Sequence, residues 1–151
     1  IYLINILYNL VDEILIEINF VNKKYSEFLK MKKPKVISLP TFSDERGVLT
    51  ILEKEAEFLI KRIYWTYGAD GQRRGGHRHK ITKQALVAIN GEIHIHIKKN
   101  SFEYDFILNK PSECLILEPE DWHTLDFYQG GILLVAASHY FDKNDYIYEA
   151  L

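Results

Sequence analysis

Cysteine is almost absent from this chain of 151 residues. Cys114 is the only one, so no internal disulfide framework is possible and the composition fits a reducing compartment, the cytoplasm. Cys114 stands in the apolar run ECLILEP, where a thiol is expected to be a small buried hydrophobe, not a nucleophile. An excess of charge of either sign is missing as well. The 19 Lys and Arg nearly balance the 21 Asp and Glu, leaving −2, so nothing draws the chain generally to nucleic acid or an anionic membrane. Any anion site must therefore be local. No Gly-x-Gly-x-x-Gly fingerprint marks a dinucleotide site. No repeat or low-complexity linker divides the chain, and its length suits one domain with a full hydrophobic core.

The opening IYLINILYNLVDEILIEINF differs from the rest of the chain. Apolar residues recur at Leu3, Ile6, Leu7, Leu10, Ile14 and Ile18, close to helical spacing. Asp12, Glu13, Glu17 and several asparagines argue against a membrane span, and no basic segment or small-residue cleavage site marks a signal peptide. The only methionine, Met31, directly precedes KKPKVISLP. We expect residues 1–32 to be a short helical extension, non-native or the tail of something longer, and residues 33–151 to form the functional domain.

From Val36 onward the pattern changes to short β-type runs separated by turn residues: KVISLP, GVLTILE, FLIKRIYWTY, QALVAIN, EIHIHIK, FEYDFILN, ECLILEP, HTLDFY and GILLVAASHY. Nine such runs without a long amphipathic helix among them predict an all-β antiparallel sandwich or barrel. Asn90-Gly91 reads as a two-residue hairpin loop, since type I′ turns need positive φ at both central residues. That hairpin would put Gln84, Leu86, Ile93, Ile95 and Ile97 on one face, with Val87, Ile89, His94 and His96 on the other. If the isoleucine face lines the interior, His94 and His96 lie outside it and are structural or solvated.

His77 and His79 are a different case. An extended strand projects both imidazoles to one face. They follow Arg73-Arg74-Gly75-Gly76, where glycine allows close approach of backbone or ligand. The string His77-x-His79-x4-Gln84-x6-Gly91 resembles the first motif of the cupin superfamily, and Pro119-Glu120-Asp121-Trp122-His123 resembles the second, one residue short and lacking its glycine. The resemblance implies an RmlC-like jelly-roll β-barrel. In metal-binding cupins the position of Gln84 is normally Glu. A neutral amide is a poor replacement for a carboxylate ligand, so we expect no metal, and the imidazoles are free for acid–base work.

A narrower set then appears in order: Asp44-Glu45-Arg46-Gly47-x-Leu49, Arg62-Ile63-Tyr64, Arg74-Gly75-Gly76-His77-Arg78-His79-Lys80, Gln84, Trp122-His123, and Leu134-x-Ala136-Ala137-Ser138-x-Tyr140-Phe141-Asp142-x-x-Asp145-Tyr146-Ile147. Together these residues resemble the dTDP-4-oxo-6-deoxyglucose 3,4-ketoisomerases, WxcM-like cupins of deoxysugar biosynthesis, from about Val36 to Ile147. The family's chains are expected to continue past the position of Leu151. The resemblance implies a dTDP-sugar substrate, no cofactor, a homodimer with exchanged strands, and a pathway toward a 3-amino-3,6-dideoxygalactose on a surface glycan. It implies His77 as base and His79 as partner acid or shuttle. Arg46, Arg62 and Arg74 are candidates for diphosphate or enolate oxygens, since guanidinium suits bidentate oxyanion contacts. Tyr64, Gln84, Trp122 and His123 are expected in the substrate pocket. The resemblance implies the galacto product, since the members that make it are similar to this chain in carrying Arg at position 46 and His at position 123. A dTDP-sugar 3,5-epimerase and a non-catalytic ligand-binding cupin are the competing readings.

Overall fold

The computed structural model describes residues 2–30 and 32–150, with side chains described for residues 10–26 and 32–150. Met31, expected just ahead of the domain, lies outside the described residues, as do the side chains of Leu3, Ile6 and Leu7. The chain divides into two compact units, Ile1–Lys33 and Pro34–Leu151. The first is a single helix, α1 (Tyr2–Lys30), as its apolar spacing predicts. Among the described residues, no helix is long and apolar enough to cross a membrane.

The second unit is built from ten strands: β1 (Lys35–Ser38), β2 (Thr41–Asp44), β3 (Gly47–Thr50), β4 (Arg62–Thr66), β5 (Arg73–His79), β6 (Gln84–Lys99), β7 (Phe102–Leu108), β8 (Glu113–Leu117), β9 (Trp122–Ala137) and β10 (Tyr146–Ile147). Strands β6 and β9, each 16 residues long, run antiparallel to one another almost throughout. Their first and second halves take different outer neighbours. One layer reads β1-β8-β6-β9-β4, using Gln84–Ala88 of β6 and Leu133–Ala137 of β9. The other reads β7-β6-β9-β5-β10, using Glu92–Lys98 of β6 and Trp122–Tyr128 of β9. Two long strands shared by two layers make a jelly-roll barrel. The β2–β3 hairpin forms its own two-stranded sheet.

Asn90-Gly91 does not form the hairpin loop expected from its composition. Strand β6 continues through it, and the register against β9 shifts between Ala88, Asn90 and Glu92. Gly91 (φ +66°) and Gly130 (φ +69°) take left-handed conformations at this crossing, and Asn90 Nδ2 donates to Gly130 O at 2.8 Å. The backbone of Gly131 packs directly on Gly91. The irregularity changes side-chain parity, so Leu86 and Ala88 share one core cluster with Ile93, Ile95 and Ile97. The expected faces are thus correct, although a bulge produces them instead of a turn. The same event merges QALVAIN with EIHIHIK, and HTLDFY with GILLVAASHY, into two strands.

The barrel interior is filled by this cluster together with Leu115, Leu117, Phe127 and Leu133. A second cluster, including Leu39, Val87, Cys114, Ile116 and Ala136, covers the other side of the first layer. Cys114 is fully buried there, and burial pushes its thiol up to about 12, so it is inert. His94 and His96 alternate outward and pair with carboxylates: His94 Nε2 with Glu92 at 2.6 Å and His96 Nδ1 with Asp105 at 2.8 Å.

Two substitutions test this architecture. Ile95→Ala, at a fully buried position, should cost about 2–5 kcal/mol in urea denaturation. A Cβ on Gly91 would lie 2.7 Å from the backbone of Gly131, whereas one on Gly68 (φ +65°) meets open space. Gly91→Ala should therefore destabilise clearly more than Gly68→Ala, which carries only the left-handed strain of about 1–2 kcal/mol. Equal costs would refute the close strand crossing.

Candidate active site

The site begins with two glycines. The register of β5 against β9 shifts between Gly75, paired with Thr124, and His77, paired with His123. Gly75 (φ +78°) and Gly76 (φ +75°) both take left-handed backbone, as a bulge there requires. A Cβ on Gly75 would stand 2.6 Å from His123 O, so the close approach this glycine permits is to β9. Because of the extra residue, Arg74 and His77, three apart, both line the same cavity.

That cavity has a volume of about 240 Å³ and opens between the two layers. Its polar wall is formed by Tyr64, Arg74, His77, Gln84, His123 and Tyr146, and its floor by Leu86, Leu125, Leu133 and Val135. The His77 ring lies edge-on to the rings of His79 and His123, each at 5.2 Å between centroids. Tyr146 packs at 4.7 Å from both His77 and His79. His79 is buried behind this wall, with Nδ1 2.8 Å from Asp145 Oδ2. His123 is also buried, and its Nδ1 donates to Asp121 O at 3.0 Å. The turn that supplies this carbonyl is anchored by a buried ion pair, Lys99 Nζ to Asp121 Oδ1 at 2.8 Å.

Burial decides the protonation of all three imidazoles, because a desolvated ring disfavours its cation. His123 is held down to about 4 by burial, with the neighbouring imidazoles adding to the effect and the Asp121 carbonyl opposing it. Burial lowers His77 too, helped by His79 and opposed by a backbone hydrogen bond with Gly75. In His79 burial again dominates over the opposing pull of Asp145. Near neutral pH the cluster is uncharged and able to accept protons. Burial, reinforced by Tyr146, pushes the Tyr64 phenol up to about 12, so it keeps its proton. Gln84 Nε2 donates to Tyr64 Oη at 2.8 Å, leaving the phenolic hydrogen available to another acceptor.

The remaining expected residues fall into two groups. Arg62 lies beside the site, its guanidinium carbon 5.0 Å from the Tyr64 ring centroid, and its buried Nε has no protein partner. Trp122 does not line the cavity; its Nε1 donates to Tyr148 O at 2.9 Å and so ties down the segment carrying Tyr146. Arg46 is not brought to this cavity by its own chain. It sits exposed at the tip of the β2–β3 hairpin, ion-paired with Asp44, because among the described residues that hairpin pairs with no other strand. Asp145 and Tyr146 emerge as site residues beyond those expected. Among the described residues, no group of three or more His, Cys, Asp or Glu side chains is arranged to hold a metal ion.

A jelly-roll barrel with a histidine-lined interior is a cupin. Within that class, the family model described as FdtA, WxcM-like, C-terminal matches residues 32–150, and the chain belongs to this family. The TDP-4-oxo-6-deoxy-alpha-D-glucose-3,4-oxoisomerase of Aneurinibacillus thermoaerophilus is 35% identical over 117 residues, 75% of this chain and 84% of the relative. Among solved structures, a double mutant of the QdtA 3,4-ketoisomerase from Thermoanaerobacterium thermosaccharolyticum, in complex with TDP, is 37% identical. It superposes with a TM-score of 0.74 over 79% of this chain and 89% of the other. A 3,4-ketoisomerase from Helicobacter canadensis is 33% identical, with a TM-score of 0.75 over 79% and 92%.

Neutral buried histidines make stability depend on pH. Between about 6.5 and 4 the unfolded chain binds a proton at His123 that the folded chain refuses, so stability rises with pH across this window and falls on acidification. The loss should be on the order of 3 kcal/mol for His123. Denaturation midpoints between pH 7 and 4 should show a shallower slope in His123→Gln than in the unsubstituted chain; parallel slopes would refute the assignment.

Proposed function

We propose that residues 33–151 move the keto group of dTDP-4-dehydro-6-deoxy-α-D-glucose from C4 to C3, giving dTDP-3-dehydro-6-deoxy-α-D-galactose. The observation that carries this reading is the neutral His77 imidazole in a cavity beside a protonated Tyr64 and a cationic Arg74. The C3 hydrogen is acidified by the neighbouring carbonyl. His77 takes it as a proton, the electron pair becomes the C3–C4 double bond, and the C4 oxygen is protonated to complete an enediol. The C3 hydroxyl then gives up its proton as the C3 carbonyl forms, and C4 receives one. Electrons and protons balance within the sugar, so no redox partner enters.

Each polar wall residue has work in this scheme. Tyr64, held by Gln84, donates to the oxygen that gains charge, where a fixed donor in a dry site acts most strongly. Arg74, at the cavity, and Arg62, beside it, suit the enolate and diphosphate oxygens. His79 stands behind His77 as the second proton carrier. Trp122 acts through the backbone it holds. His123 shares the His77 face, and delivery of the C4 proton from the face that loses the C3 proton gives the galacto configuration.

The reading includes a homodimer. Phe42, Val48 and Leu49 on the hairpin are each more than 60% exposed. A groove of about 540 Å³ lined by Leu39, Val48, Val87, Ile89 and Leu134 adjoins them. Exchange of the β2–β3 hairpin between two copies would cover this apolar surface and carry Arg46 toward the other copy's cavity. The near-balanced net charge and inert thiol suit a cytoplasmic enzyme of surface-glycan synthesis with no nucleic-acid or membrane partner.

Incubation with dTDP-4-dehydro-6-deoxyglucose in heavy water, followed by NMR, tests the proposal. The product should carry its keto group at C3 and an axial C4 hydroxyl, with no deuterium at C5. An equatorial hydroxyl overturns the galacto assignment, and C5 deuterium indicates epimerisation. His77→Asn should lower turnover by about 10²–10⁴ with little change in TDP affinity. Equal loss of both would favour a binding role.

A further inference from the structure

The carboxylate of Asp145 is saturated with donors. Its Oδ1 accepts from Lys80 N at 3.0 Å and Ile81 N at 2.9 Å. Its Oδ2 accepts from Thr82 Oγ1 at 2.5 Å and faces His79 Nδ1 at 2.8 Å. Burial works against the charge, but the hydrogen bonds from Thr82, Ile81 and His79 outweigh it and hold this carboxyl below its ordinary range. An ionised carboxylate only accepts, so His79 Nδ1 must carry the hydrogen, and a neutral ring then has its lone pair on Nε2. That Nε2 is buried and has no protein hydrogen-bond partner, while the ring packs against His77 and Tyr146.

We propose that Asp145 is a positioning residue of this site: it fixes His79 as the Nδ1–H tautomer and so makes Nε2 the proton-accepting atom of the second imidazole. The role of His79 as second proton carrier rests on the isomerase reading; its tautomer does not. Two features separate this from a merely structural clasp. The backbone amide of Ile81 is a fixed donor to Oδ1, and that of Lys80, shared with Asp145 O at 2.9 Å, lies on the same side, so in Asp145→Asn the amide oxygen must remain on them. The new NH₂ group then faces His79 Nδ1 and donates to it, which forces the hydrogen onto Nε2. One atom changes, the shape is kept, and the acceptor is lost.

The test has a spectroscopic and a kinetic arm. Imidazole ¹⁵N spectra of the full chain, with His79 assigned through His79→Gln, should show a pyridine-type Nε2 in the unsubstituted protein and a pyridine-type Nδ1 in Asp145→Asn. Turnover in Asp145→Asn should fall at least hundredfold, with TDP affinity by calorimetry held within about threefold, as expected when only the tautomer is wrong. Asp142→Ala serves as control. It removes the Asn144 N–H acceptor in the same turn without touching His79, and should lower the melting temperature while keeping turnover within about threefold. The proposal is overturned by an Nε2–H tautomer in the unsubstituted chain, by unimpaired Asp145→Asn, or by an Asp142→Ala loss as large as that of Asp145→Asn. If Asp145→Asn does not fold, the spectrum of the unsubstituted chain alone decides. Absence of turnover in the unsubstituted chain would instead refute the isomerase reading and leave the tautomer measurement standing.

Discussion

The pairing of β6 with β9 is the contact on which the rest of the domain depends. Each strand is long enough to serve both layers, and each carries a glycine in left-handed conformation where it passes from one to the other. Without that shift of register, Ile93, Ile95 and Ile97 would point away from the face that Leu86 and Ala88 occupy. Three large side chains would move from core to solvent, a loss of about 1.5–3 kcal/mol each. The same shared strands place Gln84 at one end of β6 and His123 at the opposite end of β9, and the barrel wall between them becomes the floor of the cavity.

A second shift of register, at Gly75-Gly76, does for chemistry what the first does for packing. An unbroken strand would put Arg74 on one face and His77 on the other. The bulge brings a guanidinium and an imidazole into one cavity. Arg74 sits at the exposed end of the wall, while His77 and His123 go deeper. One nitrogen of His79 and one of His123 are already committed, to Asp145 and the Asp121 carbonyl, and the His77 ring packs between those two imidazoles and Tyr146. The cluster is therefore ordered before any ligand arrives, which lowers the reorganisation left for the reaction.

Strand content and the interior face were legible because alternation is a local signal: in EIHIHIK every second residue is apolar, whatever the strand pairs with. Asn90-Gly91 misled because positive φ serves a turn and a bulge equally well, and only the partner strand, with Gly130 and Gly131 opposite, distinguishes them. Strand β5 and the two-residue β10 are polar or short and carried little pattern. His77 and Gln84 could be read from motif spacing. The partner of His79 could not, since Asp145 lies 66 residues further along the chain and meets it only through the fold. Arg46 shows the opposite limit: its motif is plain in the sequence, yet a hairpin that pairs only with itself leaves it outside the cavity of its own chain.

Gln84 ties these features together. A carboxylate there would stand beside Tyr64 in the wall of the cavity that His77 and His123 also line, a low-dielectric setting where each charge acts strongly. It would raise the proton affinity of the histidines and favour imidazolium, the form that cannot accept a proton. It would also accept the Tyr64 hydrogen and so remove a donor from the site. The amide avoids both effects: its NH₂ is spent on Tyr64 and its oxygen remains uncharged. One neutral residue thus leaves the imidazoles uncharged and the phenolic hydrogen uncommitted. In the isomerase reading, the amide at this position suits the site to moving protons with its own side chains.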